Sequence, residues 1–269
     1  MHECPSRRRP TGVIALIALV LSASGCVRSE IAPADGASPL AAVAVDGLAA
    51  GTPAVPGDWT VLRVVGPASA AVAMTEGRTT AGEAAPYYAA GEARVSAALP
   101  DRWPVPTAPD AIELKQYPPT RQAVVETSGG RGGAFWPLFR HISRRDIAMT
   151  APVVMTGDMA GEDRGAASMA FLYRRAELGP TGAAESGVRV EDTTRITVLS
   201  IGFIGDRSDR RPERERQRLE SWLEQQPAGG RWTAIGGPRL LGYNGPDIPV
   251  ARRWWELQLP VRWIGPPAE

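Results

Sequence analysis

The sequence is poor in the side chains that carry most protein chemistry. Among 269 residues it has two cysteines, Cys4 and Cys26, two histidines, His2 and His141, and one lysine, Lys115. It contains no His-Glu-x-x-His segment, no Gly-x-Ser-x-Gly elbow and no Cys/His cluster, which excludes the familiar zinc hydrolases and serine hydrolases. We therefore predict that the protein is not an enzyme.

An excess of charge of one sign is also lacking. The chain has 30 Lys and Arg residues and 29 Asp and Glu residues, which gives a formal net charge of +1. A nucleic-acid-binding protein usually carries a strongly basic surface, because it must neutralise phosphates. We therefore expect no nucleic acid among the partners of this protein.

What the N-terminus does contain is a short apolar run behind a basic start. Three arginines, residues 7–9, precede the apolar residues 13–21, and the small residues 22–25 lead directly to Cys26. The run is shorter than the roughly 20 apolar residues that a helix needs to cross a bilayer, so the pattern indicates a signal peptide. The small residues before the cysteine resemble a lipobox. We predict that residues 1–25 are removed and that Cys26 becomes the lipidated N-terminus.

An ordinary signal peptide with a chance cysteine is the alternative. If Cys26 carries acyl chains such as palmitate, the mature chain keeps no thiol for a disulfide, a zinc site or a nucleophile. The protein is then exported and anchored through its lipid to a membrane of the cell envelope. Val27 is not the acidic residue that retains such proteins at the inner membrane of enteric bacteria. The periplasmic face of the outer membrane is therefore one possible location, and the inner membrane is the alternative.

The composition changes twice before the main domain begins. Residues 26–57 are rich in alanine, proline and glycine, so they bury too little apolar surface to fold and we interpret them as a tether. Residues 58–107 form an N-terminal extension, in which we predict a strand over Trp59–Val65 and a short helix over Glu92–Leu99 that ends before Pro100. The sequence leaves open whether this extension packs on the main domain or stays loose.

A domain over residues 108–264 carries the clearest periodicity. Ile112 and Leu114 alternate with Glu113 and Lys115, which predicts a half-buried strand. The elements expected after it are a strand, an amphipathic helix and two strands, at Arg121–Thr127, Phe135–Ile142, Ala148–Met155 and Ser168–Arg174.

The second half of the domain repeats this order of elements. Ile196–Ile204 is apolar on both faces, which predicts a covered central strand. Ser208 or Asp209 is expected to cap a helix that has Pro212 in its first turn. Three strands are expected after the helix, at Arg231–Ile235, Leu240–Tyr243 and Trp255–Val261. We predict an α+β fold in which a duplicated strand–helix–strands unit forms a distorted, mostly antiparallel β-barrel-like sheet with two main helices.

Several segments of this domain resemble one known family. Residues 147–153, Ile-Ala-Met-Thr-Ala-Pro-Val, are similar to the signature of the SOUL haem-binding protein family. The other similar segments follow in the family's order: the opening strand Leu114–Tyr117, the first helix Phe135–Ile142, the Tyr-x-x-Pro turn at Tyr243–Pro246, and Arg252 and Arg253 before a final strand with Glu256. The resemblance spans about residues 108–264.

The resemblance implies a haem site in an apolar groove beside the first helix. By position, Phe135, Leu138 and Phe139 would line the groove, and Arg140 would face a haem propionate. A porphyrin needs a wide apolar wall, and arginine binds a carboxylate through two hydrogen bonds. Apolar residues at this spacing are equally those of an ordinary buried helix face, with Arg140 in solvent.

Ligation of the iron would fall to His141, the only histidine left once residues 1–25 are removed. On a helical wheel His141 lies about 120 degrees from the centre of the apolar face, so a surface histidine is the alternative. Haem held without a strong protein ligand is a third interpretation, and no other metal site is predicted. Met149 and Pro152 in the signature are interpreted as structural.

These features lead to one functional prediction and one alternative. We expect an envelope-anchored lipoprotein whose SOUL-like domain binds haem, another tetrapyrrole or an apolar small molecule. The alternative is a non-catalytic structural or protein-interaction module of the cell envelope without haem, in which the eight tryptophans serve an interface. The identity of the ligand and the oligomeric state stay open.

Overall fold

The part of the chain that the computed structural model describes contains the main domain and much of the extension before it. The described residues are 61–65, 68, 70–80, 82–126, 133–157, 168–207, 210–226 and 231–265. The predicted signal peptide, Cys26 and the predicted tether lie outside the described residues, as do Ser208 and Asp209.

The described residues form fourteen β-strands and two α-helices. In chain order they are β1 (Val61–Val65), β2 (Val72–Arg78), β3 (Ala84–Ala90), β4 (Ala93–Arg94), β5 (Ile112–Tyr117), β6 (Arg121–Glu126), α1 (Phe135–Arg144), β7 (Val153–Thr156), β8 (Ser168–Leu172), β9 (Gly182–Ala183), β10 (Arg189–Asp192), β11 (Ile196–Ile204), α2 (Arg211–Glu224), β12 (Arg231–Ala234), β13 (Arg239–Gly242) and β14 (Trp254–Ile264).

Eleven strands form one sheet, in the order β1-β5-β11-β14-β13-β7-β8-β6-β10-β9, with β12 paired to β14 beside this path. All of these strand pairs are antiparallel. Within the described residues the two ends of the order, β1 and β9, do not pair, so the sheet is open. The predicted α+β class, the antiparallel sheet and the two helices are confirmed, and the term barrel-like applies only loosely.

The predicted central strand is confirmed with its predicted bounds. β11 runs over Ile196–Ile204 and lies between β5 and β14. Residues 198–203 are all buried. A strand that is covered on both faces carries apolar side chains on both, so apolar and polar residues do not alternate along it.

The N-terminal extension packs on the domain. The predicted strand in it is confirmed, because β1 pairs with β5, while β2, β3 and β4 form a separate three-stranded sheet. The buried side chains of Val95, Leu99 and Trp103 belong to the same apolar cluster as those of strands β6, β8 and β11.

The helix predicted over Glu92–Leu99 is wrong. Ala93 and Arg94 form β4 instead. Val95 N–H then donates to the Tyr88 carbonyl of the adjacent β3 at 2.9 Å, and Ser96 N–H donates to the distant Tyr243 carbonyl at 3.2 Å. These bonds satisfy the backbone without a helix, so tertiary contacts override a weak local propensity.

Both helices cover the same face of the sheet. Leu138 and Ile142 of α1 pack with Phe171, and Leu219 of α2 packs with Leu199 and Leu257. α2 begins at Arg211 with Pro212 in its first turn, as predicted. Neither described helix is long and apolar enough to span a membrane. The opposite face of the sheet is covered by the segment that leads from β4 to β5.

The strand predicted over Ala148–Met155 is shorter than expected. β7 begins at Val153, directly after Pro152, which has no amide hydrogen to give to a neighbouring strand. The residues before it bond elsewhere: Thr150 Oγ1 donates to the Leu172 carbonyl at 2.6 Å, and Ala151 N–H donates to the Ala98 carbonyl at 2.9 Å.

Candidate functional site

The outer face of α1 presents aromatic side chains to solvent. Trp136 is 61% exposed and Phe139 is 40% exposed, whereas Phe135 is partly buried. Large aromatic side chains stabilise a fold when they are buried. Two exposed ones on adjacent turns of a helix therefore mark a surface whose covering by a ligand or partner is favourable.

The three aromatic rings contact one another. The Phe135 and Phe139 rings are stacked with their centroids 5.9 Å apart, and the Trp136 ring stands edge-on to Phe139 at 6.1 Å. Phe135 also meets the Phe171 ring of β8 edge-on at 5.4 Å, which fixes the group to the sheet. We call Phe135, Trp136 and Phe139 the aromatic face. Trp136 was not among the predicted residues, although its spacing of three from Phe139 places both on one side of a helix.

Leu138 does not belong to this surface. Its side chain is fully buried against Ile142 and Phe171. Of the apolar residues expected to line a groove, Leu138 is therefore a core residue, because it points from the helix directly toward the sheet.

Arg140 lies beside the aromatic face with its charge available. The residue is exposed, and its Nε lies 3.4 Å from the Trp136 carbonyl. Among the described residues no carboxylate forms an ion pair with it. A guanidinium in this position can receive a carboxylate from outside the chain.

His141 is inside the protein, so the expectation that it lies at the surface is wrong. Its side chain is fully buried, with Nε2 2.7 Å from the Tyr173 hydroxyl. Nδ1 lies 3.6 Å from Glu185 Oε1, and Arg145 binds the same carboxylate at 2.7 Å. The helix directs this flank toward β8 and the loop that carries Glu185, which a helical wheel of α1 alone does not reveal.

The surroundings of His141 disfavour protonation of its ring. Burial and the charge of Arg145 lower the pKa of His141, and Glu185 raises it less. A neutral imidazole can ligate iron, but Nε2 is already bonded to Tyr173, and that bond would have to break first. Within the described residues no group of three or more His, Cys, Asp or Glu side chains is placed to hold a metal ion.

The signature segment lies next to α1. Ile147 is buried, and its amide donates to the Ile142 carbonyl at 2.9 Å, which joins the segment to the end of the helix. Met149 packs partly buried against the same core cluster. These contacts agree with a structural role for the segment.

A second polar group, around Glu256, is buried at the centre of the sheet. The carboxylate is fully buried and each oxygen accepts several hydrogen bonds. Oε1 accepts from Lys115 Nζ, Tyr117 Oη, Ser200 Oγ and Gln258 Nε2, and Oε2 accepts from the Thr107 amide and Tyr243 Oη. These bonds join four separate stretches of the chain.

Lys115 is part of this buried group, which the alternation of its strand did not predict. Its ammonium lies 3.5 Å from Glu256 and 3.1 Å from Glu113, and donates to the Val105 carbonyl at 2.6 Å. Burial raises the pKa of Glu256, but the charge of Lys115 and the donated hydrogen bonds outweigh it and lower the pKa to about 2. Because the carboxylate is enclosed and fully bonded, it holds the fold together and is not available to a ligand.

Comparison with known proteins identifies one family and several weak structural likenesses. The family model described as SOUL heme-binding protein matches residues 101–259, more than half of the chain. No curated protein matches the sequence.

The structural likenesses are to bacterial proteins with little sequence identity. The EcmrR chain in its DNA complex matches with a TM-score of 0.42 at 16% identity, over 56% of this chain and 56% of that one. A hydrolase from Listeria innocua matches with a TM-score of 0.46 at 12% identity, over 59% and 94% of the two chains. The protein SAV2435 bound to tetraphenylphosphonium matches with a TM-score of 0.32 at 9% identity, over 56% and 93%. Likenesses this weak carry no argument about function.

Proposed function

Because this chain belongs to the SOUL heme-binding protein family, we propose that its domain binds haem or another tetrapyrrole on the aromatic face of α1. The observation that carries the proposal is the exposure of Trp136 and Phe139 next to the exposed side chain of Arg140. A porphyrin is a flat apolar ring with carboxylates on one edge, so it matches a flat aromatic surface with a cation beside it.

In this proposal the aromatic face contacts the porphyrin ring, and no side chain of the protein ligates the metal. Covering the exposed parts of Trp136 and Phe139 removes apolar surface from water, which stabilises the complex by roughly 25 cal/mol for each Å² covered. Arg140 adds a charge-assisted hydrogen bond to a propionate. When bound, haem supplies a redox-active iron, and His141 stays with Tyr173 instead of reaching it.

A haem titration of the purified protein, followed by the Soret band, tests this proposal. We expect saturable binding that weakens at least about tenfold in the double variant W136A/F139A, since each truncation removes about 1.5–3 kcal/mol of burial. Ile235→Ala is the matched control, because Ile235 is 54% exposed and lies on a different surface. H141N should bind haem as the unaltered protein does.

Two outcomes would count against the proposal. Equal binding by W136A/F139A and I235A would place haem elsewhere on the domain. The absence of any saturable change would favour the second candidate, a protein-interaction module without haem, for which the same exposed aromatic face is the contact surface.

We propose further that the chain acts without catalysis, as a lipoprotein held at the cell envelope through Cys26. The support is the order of a basic start, a short apolar run and small residues before Cys26 in the sequence. In bacteria that express the full chain, Cys26→Ser should move the protein from the detergent-soluble membrane fraction to the unprocessed or soluble fraction. Cys4→Ser is the control and should leave the distribution unchanged. Membrane fractionation of C26S identical to that of C4S would argue against a lipid anchor.

A further inference from the structure

A cavity of about 220 Å³ lies in the sheet face opposite the two helices. Apolar side chains from several strands form one part of its wall, among them Val154, Leu172 and Ile196, and Trp103 also lines it. Hydroxyl and amide side chains form the remainder, and Arg239 contributes the only formal charge among the described lining residues.

Arg239 has no ion-pair partner within the described part of the chain. It lies on β13, directly opposite Gln258 of β14, and is partly buried. Its guanidinium makes no ion pair and no side-chain hydrogen bond with another described residue. Burial lowers the pKa of Arg239 more than the charge of Glu256 raises it. A buried arginine normally has a carboxylate beside it, because an uncompensated charge is costly to remove from water.

The nearby carboxylates are already bound by other groups. Glu256 accepts hydrogen bonds from six groups of the buried polar centre. Glu191, which accepts a hydrogen bond from Gln122 of the cavity wall, is paired with Arg189 at 2.8 Å. No described carboxylate therefore forms a direct ion pair with Arg239, and an anion from outside can form one.

We propose that this cavity binds a small carboxylic acid, with its carboxylate on Arg239 and its apolar body against Val154, Leu172 and Ile196. The planar guanidinium matches a carboxylate through two parallel hydrogen bonds. The apolar wall favours a hydrocarbon body over inorganic phosphate, which carries more charge than one arginine neutralises and has nothing to place against that wall.

The size of the cavity separates this site from the haem proposal. Pockets for drug-sized ligands occupy about 300–1,000 Å³, so a cavity of about 220 Å³ holds only a smaller molecule. It lies on the face of the sheet opposite α1, because its wall shares Val154 and Leu172 with the core cluster away from the helices. Failure of haem binding therefore leaves this site untouched, and the reverse is also true.

Isothermal titration of the full chain with benzoate, and separately with benzamide and inorganic phosphate, tests the proposal. Benzoate and benzamide have the same size and shape and differ in charge. We expect saturable binding of benzoate at one site, at least about tenfold tighter than binding of benzamide or phosphate, since hydrogen bonds between charged groups contribute most to such discrimination.

Variants of Arg239 identify the group responsible. Arg239→Gln should weaken benzoate binding about ten- to hundredfold and leave the already weak binding of benzamide unchanged, whereas Arg231→Gln, an exposed arginine of the neighbouring β12, should bind as the unaltered protein does. If R239Q does not fold, Arg239→Lys keeps the charge and should still lose affinity, because lysine lacks the planar fork.

The proposal is overturned by equal affinity for benzoate and benzamide, by phosphate binding as tight as benzoate binding, or by no saturable binding of benzoate. It is also overturned if benzoate binds to R239Q, or to R239K where R239Q fails to fold, as tightly as to the unaltered protein.

Discussion

The imidazole of His141 lies between a tyrosine hydroxyl and an ion pair. Nε2 is 2.7 Å from Tyr173 Oη, and Nδ1 faces the carboxylate of Glu185 that Arg145 holds. Nδ1 itself makes no hydrogen bond with the described residues. The ring is therefore fixed on one side and only loosely engaged on the other.

This arrangement predicts a dependence of stability on pH below neutrality. Burial and Arg145 lower the pKa of His141 in the folded state below its usual value near 6.5. As the pH falls from 7 to 5 the unfolded chain binds the proton first, so the free energy of unfolding decreases. Urea unfolding at a series of pH values should record this decrease in the unaltered protein and a flatter profile in H141N.

His2 supplies the control for that experiment. It is the only other histidine in the chain and lies outside the described residues. In a chain produced without export, so that residues 1–25 are kept, H2N should keep the slope of the unaltered protein. An H141N profile as steep as that of H2N would assign the pH dependence to another group.

At the scale of elements, the close approach of the N-terminal extension to β11 depends on Gly202. Asp110 N–H donates to the Gly202 carbonyl at 2.8 Å. A Cβ atom at Gly202 would lie 2.2 Å from the Thr107 carbonyl oxygen and 2.4 Å from that of Ala108. Backbone atoms cannot yield as the end of a side chain can, so glycine is required for this contact.

Gly202→Ala should therefore destabilise the protein by at least about 1–3 kcal/mol, the usual cost of overpacking a core. The measurement is the midpoint of urea unfolding. Gly236→Ala is the control, since its Cβ would lie 3.8 Å from the Pro260 ring, in ordinary contact. A change within about 0.5 kcal/mol is expected there, and an equally small change in G202A would mean that the extension moves away without cost.

The elements that were predicted well are those whose pattern of apolar residues along the chain is enough to identify them. β11 is mostly apolar and was predicted with its correct bounds, and α1 was predicted from its helical spacing. The helix over Glu92–Leu99 was wrong because Val95 bonds back to Tyr88 beside the β3–β4 hairpin and Ser96 bonds to Tyr243, 147 positions away. A local pattern cannot indicate such partners.

At the scale of the whole molecule, Glu256 joins the extension to both halves of the domain. Its donors include the amide of Thr107 before β5, Ser200 on β11 and Tyr243 after β13. Removal of one partner of the Lys115–Glu256 pair leaves the other charge buried and unpaired. Because Lys115 also bonds to the Val105 carbonyl and Glu256 to the Thr107 amide, the extension and the domain depend on each other.

The sequence by itself determined the α+β class, the family and the position of the first helix, because periodicity and a contiguous signature are properties of neighbouring residues. It also predicted the helix on which Phe139 and Arg140 are exposed, and haem binding there stays a prediction. Lipidation of Cys26 stays a prediction, as the residue lies outside the described part of the chain.

Only the tertiary structure decided which side chains are enclosed and which are exposed. It places His141 and Leu138 inside and Trp136 outside, and it brings Lys115 to Glu256, which lies 141 positions away in the sequence. It also leaves Arg239 in a cavity without an ion-pair partner among the described residues. The physical reason is that burial depends on what lies opposite a side chain, and each of these residues faces a segment that is distant along the chain.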